Sequence, residues 1–300
     1  MRLQLLLAVT LLAATAQADF REFRDLPADP ALQSRLRRAA EESLRRFPDL
    51  KRENLGISVV DLTHPAAIAR ADYNGEVSFY PASVIKIFFM ADVFMQGKQD
   101  LGDVPRALRE MIGVSDNDAT AYLVDILAGT CAGTELQGRA LRRFVDRRRD
   151  INRHFARLGY DIGAMMKPWS FGPYGRELQL LGPKRENRNR LTPNAAAALL
   201  LWIARRRAPD AEPMLELLHR PLDPRRKDEN QVDEFIGEAL PAGSRLWSKA
   251  GWTSEVRLDA AYVELPEGRN LVLVIFTRGQ SKEKGIVPAI ARAVLDELSR

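Results

Sequence analysis

The sequence predicts an α+β fold in which a mainly antiparallel sheet is built from both ends of the chain. Strand-like apolar runs lie near the two ends, and apolar residues at helical spacing fill the region between them. Short turns separate the C-terminal runs, which favours antiparallel pairing. We therefore expect helices to flank this sheet, and an all-α domain to be inserted between its two halves.

The N-terminal part begins with a predicted helix at 30–47, where apolar residues recur three or four positions apart. Two predicted strands follow at 55–62 and 66–73, and an Asn-Gly turn signal closes the second one. Residues 83–96 are apolar on nearly all sides, which is typical of a buried helix. The middle of the chain continues with helical patterns at 104–111, 118–128, 136–158 and 193–206.

Between the last two helical patterns, residues 167–190 are rich in glycine, proline and polar residues. They predict a long loop, and loops of this length in a compact domain are often functional. The C-terminal part returns to predicted strands and ends in a helix, at 244–249, 256–264, 271–277 and 287–298. We assign an α/β domain to 19–75 and 240–300 and an all-α domain to 76–239, with the active site between them.

The first 18 residues are typical of a signal peptide. A short basic start precedes the apolar run 3–14, and Ala-Gln-Ala at 16–18 offers a cleavage site. The apolar run is too short to span a bilayer comfortably, and no cysteine lies near the cleavage site for a lipid anchor. We expect a periplasmic or secreted protein without a stable membrane anchor.

Composition excludes several classes of site. Cys131 is the only cysteine, so it forms no internal disulfide, and we expect a small buried residue at a helix end. The three histidines are scattered, and their spacing nominates none as the base of a Ser-His-Asp triad, although triads assemble in space. The net charge is +5, and acidic residues interrupt the densest basic run, 139–153, which we interpret as a solvated helix face rather than a nucleic-acid site. Neither a cofactor nor a metal is expected, and we expect a monomer.

The buried helix opens with the sequence Ser-x-x-Lys, in which Lys86 lies one helical turn after Ser83. Burial among apolar residues would lower the pKa of Lys86 toward that of a general base. A serine beside such a lysine can act as a nucleophile without any histidine. The alternative is that Ser83 caps the helix and Lys86 extends its charged end to solvent.

Two further short elements could join this pair. Ser-Asp-Asn begins at Ser115, just before a predicted helix; Ser115 could pass a proton, and Asn117 could bind a substrate amide. Lys-Ala-Gly ends a predicted strand; Lys249 would supply positive charge, and Gly251 would allow a close approach to the strand edge. Taken separately, the first is an ordinary helix cap and the second an ordinary strand end.

Together, in this order and at these distances, the three elements resemble the penicillin-recognising serine enzymes, most closely the class A β-lactamases. The resemblance covers nearly all of the mature chain and includes the surrounding sequences PASVIKIFFM, VSDNDAT, NRLTPNAAAALL and EALPAGSRLWSKAGWTSEVR. It implies a β-lactamase/transpeptidase-like fold that acts on a small β-lactam or a peptidoglycan-like substrate.

The resemblance also implies a role for each site residue. Ser83 would attack the lactam carbonyl, and the backbone N–H groups of Ser83 and Trp252 would form the oxyanion hole. Lys86 and Ser115 would transfer protons, and Asn117 would bind the acylamino group. The residues expected to face the substrate carboxylate are Lys249 and Thr253, with Ser254 as a further candidate, together with Arg257, whose register is uncertain by one residue.

The sequence departs from the class A pattern in two places. Ala250 replaces the usual hydroxyl residue of the third element. The Glu-x-x-x-Asn pattern that positions the hydrolytic water is also missing. Glu177 lies nearest the expected distance before Thr192-Pro193, yet the fourth residue after it is Leu181; the alternative for Glu177 is a solvated loop carboxylate.

These departures leave three hypotheses. The first is a β-lactamase, associated with antibiotic resistance and β-lactam catabolism, that acylates at Ser83 and deacylates with a water held by Glu177. The second is a D-alanyl-D-alanine peptidase or other cell-wall amidohydrolase that uses the same serine and deacylates β-lactams slowly. The third is a non-catalytic binding domain, which the intact set of reactive residues makes the weakest of the three.

Overall fold

The computed structural model describes residues 20–168, 172–223 and 231–300, so the predicted signal peptide lies outside the described residues. The strands are β1 Leu55–Asp61, β2 Ala69–Tyr73, β3 His219–Arg220, β4 Arg245–Trp252, β5 Val256–Glu264 and β6 Asn270–Arg278. The helices are α1 Phe20–Asp25, α2 Pro30–Arg46, α3 Lys86–Met95, α4 Val104–Gly113, α5 Asn117–Ala128, α6 Gly138–Arg157, α7 Gly175–Leu181, α8 Pro193–Ala204, α9 Ala211–Leu218 and α10 Ile286–Ser299.

The strands form one antiparallel sheet in the order β2-β1-β6-β5-β4-β3. Strand β1 from the N-terminal part pairs with β6 from the C-terminal part, with Ile57 opposite Ile275. This confirms the predicted sheet built from both chain ends. The class of fold is the expected one, with helices flanking the sheet.

Both faces of the sheet are buried at its centre, and this explains why the strands β1, β5 and β6 are largely apolar. In β1, Val59 belongs to the core on one face and Val60 to the core on the other, because successive side chains point to opposite sides. Helices α2 and α10 pack together on the first face, and α8 packs against β1, β5 and β6 on the second. The sheet is therefore a rigid support for the strand β4 that reaches the candidate site.

Two elements of the sheet region come from within 76–239, the range assigned to the all-α domain. Strand β3 pairs with β4, with His219 opposite Trp247, and α8 packs directly on the sheet. A strand of two residues is too short to show alternation in a sequence. The boundaries of the two domains remain a prediction.

The predicted loop at 167–190 contains the helix α7, which sequence reasoning missed. This helix has seven residues and begins at Gly175 with φ +52°, so it offers neither a periodic pattern nor a normal N-cap residue. The predicted helix at 83–96 is divided into a 3-10 helix, Ala82–Ile85, and α3. This division places Ser83 in the tighter turn and Lys86 at the start of the α-helix.

Cys131 corrects an expectation, because it is exposed rather than buried. It follows Gly129, which ends α5 in the left-handed conformation with φ +58°, and it lies in an irregular surface segment. The basic helix α6 is largely solvated as expected, with Arg153 paired to Asp146 and Asp150. Within the part of the chain that the structure describes, no helix is both long and apolar enough to cross a membrane.

Candidate active site

The third sequence element lies directly against the first. A Cβ atom added to Gly251 would lie 2.8 Å from the backbone nitrogen of Ser83, closer than real Cβ atoms come, and 3.0 Å from that of Val84. Only a glycine lets β4 pass the turn that carries Ser83 at this distance. Ala82, the residue before Ser83, has φ +44°. This strained conformation persists only because the surrounding structure fixes it.

Lys86 is buried, with 1% of its surface exposed. Its Nζ lies 2.6 Å from the Ser115 carbonyl oxygen, 2.9 Å from Asn117 Oδ1 and 3.1 Å from Ser115 Oγ. Burial lowers the pKa of Lys86 to about 7, and the nearby charge of Asp116 opposes this shift. The amine therefore gains or loses its proton near neutral pH.

Lys249 reaches the same hydroxyl from the opposite side. Its Nζ lies 3.0 Å from Ser115 Oγ and 2.8 Å from the Ala250 carbonyl oxygen, and it also donates to Gln231 Oε1. Complete burial, together with the charges of Lys86 and Arg220, holds the pKa of Lys249 well below its usual range. Both lysines are thus drawn toward the neutral form.

Ser115 lies between the two amines, and its geometry is unusual for a serine. Its φ is +61°, a left-handed conformation that costs energy outside glycine. A hydroxyl has one proton, so it can donate to one lysine while accepting from the other. Asp116 caps α5 by accepting from the Ala119 N–H at 2.6 Å, which fixes the turn that presents Ser115 and Asn117.

A cavity of about 210 Å³ opens at this point. The predicted residues that line it are Ser83, Lys86, Asn117, Trp252 and Thr253. Trp252 is 40% exposed, and its ring packs near that of Phe235, with the centroids 5.5 Å apart. The structure therefore brings the three sequence elements together around one cleft.

Glu177 is not among the residues that line this cavity. It is buried, and its Oε1 accepts a hydrogen bond of 2.6 Å from the guanidinium of Arg148, which is fully buried. The same guanidinium lies 3.0 Å from Asp125, whose other oxygen binds Lys167. Glu177 thus belongs to a buried ion-pair cluster, which fits neither a solvated loop carboxylate nor a group that faces substrate.

Arg257 is also directed away from the cavity. Its Nη1 lies 3.1 Å from Glu234 Oε2, and its Nε donates to the Ser281 carbonyl oxygen at 3.1 Å. Only 5% of the residue is exposed. The guanidinium therefore already has partners, and the structure does not bring it to the proposed carboxylate site.

Sequence reasoning missed several residues that build the cleft. Arg220 and Gln231 surround Lys249, and the long loop adds lining residues that were not nominated, namely Lys167, Arg185, Arg188 and Asn189. The available signal was the run Lys-Arg-Glu-Asn-Arg-Asn-Arg at 184–190. Such a run does not reveal which of its charges face a cavity.

The family model described as the Beta-lactamase enzyme family matches residues 102–298, more than half of the chain. The chain belongs to this family. The matched range includes Ser115 and Lys249, whereas Ser83 and Lys86 precede it. The resemblance to class A β-lactamases is thereby confirmed, and the protein is a serine hydrolase of the β-lactamase type.

Solved structures show the same fold over almost the whole chain. A mutant of PBP-A, solved as an acyl-enzyme complex with penicillin G, has a TM-score of 0.64 and 17% identity, covering 91% of this chain and 99% of that one. A β-lactamase from Sphaerobacter thermophilus has a TM-score of 0.61 and 21% identity, covering 88% and 96%.

A class A β-lactamase from Bacteroides cellulosilyticus has a TM-score of 0.63 and 15% identity, covering 90% of this chain and 99% of that one. At such identities the likeness establishes the β-lactamase/transpeptidase-like fold. No curated protein sequence matches the chain significantly.

Proposed function

We propose that the protein opens β-lactams and related cell-wall amides by forming an ester on Ser83 Oγ. The observation that carries the proposal is the Ser115 hydroxyl held between two buried lysines, 3.1 Å from Lys86 Nζ and 3.0 Å from Lys249 Nζ. In support, Ser83 and Lys86 line the same cavity, and Gly251 of β4 packs against the turn that carries Ser83. A depressed lysine pKa next to a serine is the arrangement that activates a hydroxyl without histidine.

In the acylation step, Ser83 Oγ bonds to the carbonyl carbon while its proton passes to neutral Lys86. The backbone N–H groups of Ser83 and Trp252 stabilise the negative charge on the carbonyl oxygen. The C–N bond then breaks, and the leaving nitrogen takes a proton from Ser115 Oγ, which regains one from a neighbouring lysine. Every proton transfer uses a side chain that the site contains.

Deacylation lacks an evident carboxylate base. Among the cavity-lining residues that the structure describes, none is an aspartate or a glutamate, and Glu177 is held by Arg148. A water molecule near the ester would therefore lack a carboxylate to accept its proton. This favours an enzyme that acylates readily and hydrolyses its ester slowly, as the cell-wall amidohydrolase hypothesis requires.

We further propose that the protein is exported to the periplasm or secreted, and that it acts there as a monomer. The support is the sequence of residues 1–18, with its basic start, apolar run and small-residue cleavage site. Peptidoglycan and antibiotics of the β-lactam class would both be accessible there. Detection of a chain that begins at Asp19 in periplasmic or culture-medium fractions would test this localisation.

Intact-mass measurement during incubation with benzylpenicillin tests the chemistry. We expect a mass increase of one whole penicillin molecule that persists for many minutes, and no increase for Ser83→Ala. Ser34→Ala is the matched control, since Ser34 is an exposed serine of α2 and does not line the cavity. An adduct that survives in Ser83→Ala, or the absence of any adduct in the wild type, would contradict the proposal.

A further inference from the structure

One wall of the cavity is basic. The long loop contributes Lys167, Arg185 and Arg188 to the lining, and no carboxylate occurs in the lining that the structure describes. A cavity whose only charged side chains are cationic concentrates anions. The composition of this wall therefore indicates a ligand with a negative charge.

The three cations differ in whether a nearby carboxylate balances their positive charge. Lys167 binds Asp125, and Arg188 lies 3.0 Å from Glu255 Oε2. The guanidinium of Arg188 also stacks on the Tyr80 ring, 3.7 Å from its centroid. Arg185 is exposed, and its guanidinium makes no hydrogen bond or ion pair with any described residue. Arg185 is thus the cation of this wall whose guanidinium is available to bind an anionic ligand.

The backbone holds Arg185 in position although its side chain is free. Its φ is +57°, and it forms a tight turn in which its N–H donates to the Gly182 carbonyl oxygen at 3.0 Å. The Arg188 N–H then donates to the Arg185 carbonyl oxygen at 3.0 Å. We call residues 185–188 the basic turn; it places the two guanidinium groups of Arg185 and Arg188 at the same cavity.

Strand β4 shows on which side of the nucleophile the basic turn lies. Lys249 reaches Ser115 at one point of the strand, Gly251 lies beside Ser83, and the chain then continues to Glu255, which holds Arg188. Strand β4 ends at Trp252, and Glu255 lies in the turn that leads to β5. Along β4, the Lys249–Ser115 pair and the end that holds the basic turn therefore lie on either side of Gly251, which packs beside Ser83. The leaving nitrogen receives its proton at Ser115, so the basic turn faces the acyl portion of the substrate.

We propose that the basic turn is a subsite for an anionic group on the acyl portion of the substrate. The preferred substrates are then acyl donors with a carboxylate on the acyl side chain, in addition to any carboxylate on the leaving group. Arg188, fixed by Tyr80, orients the anion, and Arg185 supplies the uncompensated charge. This inference rests on the proposed acylation at Ser83.

Carbenicillin and benzylpenicillin test the subsite, because they differ by one carboxylate on the acyl side chain. The second-order rate constant for adduct formation is measured for both by intact mass. In Arg185→Ala we expect the constant for carbenicillin to fall about tenfold, and further in Arg185→Glu, while that for benzylpenicillin stays within about twofold. Added salt should reduce the wild-type preference for carbenicillin.

Lys184→Ala is the matched control, since it removes a positive charge one residue away from Arg185 and outside the lining. It should leave the ratio of the two rate constants unchanged. A ratio that is the same in wild type, Arg185→Ala and Arg185→Glu would overturn the proposal. Equal slowing of both penicillins would also overturn it, because the turn would then bind the carboxylate that they share.

Calorimetric binding to Ser83→Ala separates this proposal from the acylation chemistry. If the wild type forms no adduct with either penicillin, the proposed function fails on that result alone. The subsite would still predict that carbenicillin binds Ser83→Ala more tightly than benzylpenicillin, and that adding Arg185→Ala removes the difference. Equal affinities before and after this change would reject the subsite independently.

Discussion

Two of the buried groups of charged side chains in the described part of the protein are built in opposite ways. Around Arg148, each buried cation has a carboxylate within reach, since Asp125 and Glu177 accept from Arg148 and Asp125 also binds Lys167. Around Ser115, the amines of Lys86 and Lys249 hydrogen-bond to neutral oxygens instead.

The difference distinguishes buried cations that have a structural role from buried amines that can transfer a proton. A buried cation with an ionised partner keeps its charge, and loss of either partner leaves the other buried and uncompensated. A buried amine without such a partner shifts its pKa toward neutrality, as Lys86 does. Only the second arrangement can accept and return a proton near neutral pH.

Replacing the amine of Lys86 should give the largest effect. In Lys86→Arg we expect acylation by benzylpenicillin to slow by about 10³-fold, because a guanidinium remains protonated and is a poor base. Intact-mass kinetics would measure the rate, and circular dichroism would confirm that the variant is folded. Wild-type kinetics in this variant would show that Lys86 is structural, like the cations of the other cluster.

Removing Arg148 should affect stability most. In Arg148→Met we expect the free energy of unfolding to fall by about 3–5 kcal/mol, because Glu177 and Asp125 lose a buried partner. Urea denaturation would measure it. Arg147→Ala is the matched control, since Arg147 is an exposed neighbour that, among the described residues, donates to the Gly129 carbonyl oxygen. A similar loss in both variants would contradict the role of the buried cluster.

Glu177→Gln tests whether Glu177 belongs to the structural cluster or to the reactive site, because it removes the charge of the side chain and keeps its shape. We expect the free energy of unfolding to decrease by about 1–3 kcal/mol, since Arg148 loses an ionised acceptor. The rate at which the penicillin adduct disappears should not change. A much slower disappearance in this variant would instead identify Glu177 as the base that activates water.

The pH dependence of acylation gives the smallest effect. Lys86 must be neutral to accept the serine proton, and its pKa is lowered to about 7. The rate should therefore rise about tenfold per pH unit below this value and level off above it. A rate that does not change between about pH 6 and pH 8 would exclude Lys86 as the base.

Local patterns explain why much of the fold and part of the site could be predicted. The strands β1, β5 and β6 are apolar runs between turn signals, and the structure places them within one or two residues of the prediction. The helix α7 and the strand β3 were missed because they have seven and two residues. The directions of Glu177 and Arg257 depend on partners from other parts of the chain, which no local pattern shows.

The sequence alone determined the order of the elements and nominated Ser83, Lys86, Ser115 and Lys249, because their short spacings are local. Tertiary structure decided their chemistry, since the Lys249–Ser115 contact joins residues 134 positions apart. Burial in the folded protein removes both amines from water and lowers their pKa values. Tertiary structure likewise placed Glu177 against Arg148 and Arg185 at the cavity, because burial and compensation of charge depend on neighbours that are distant in the chain.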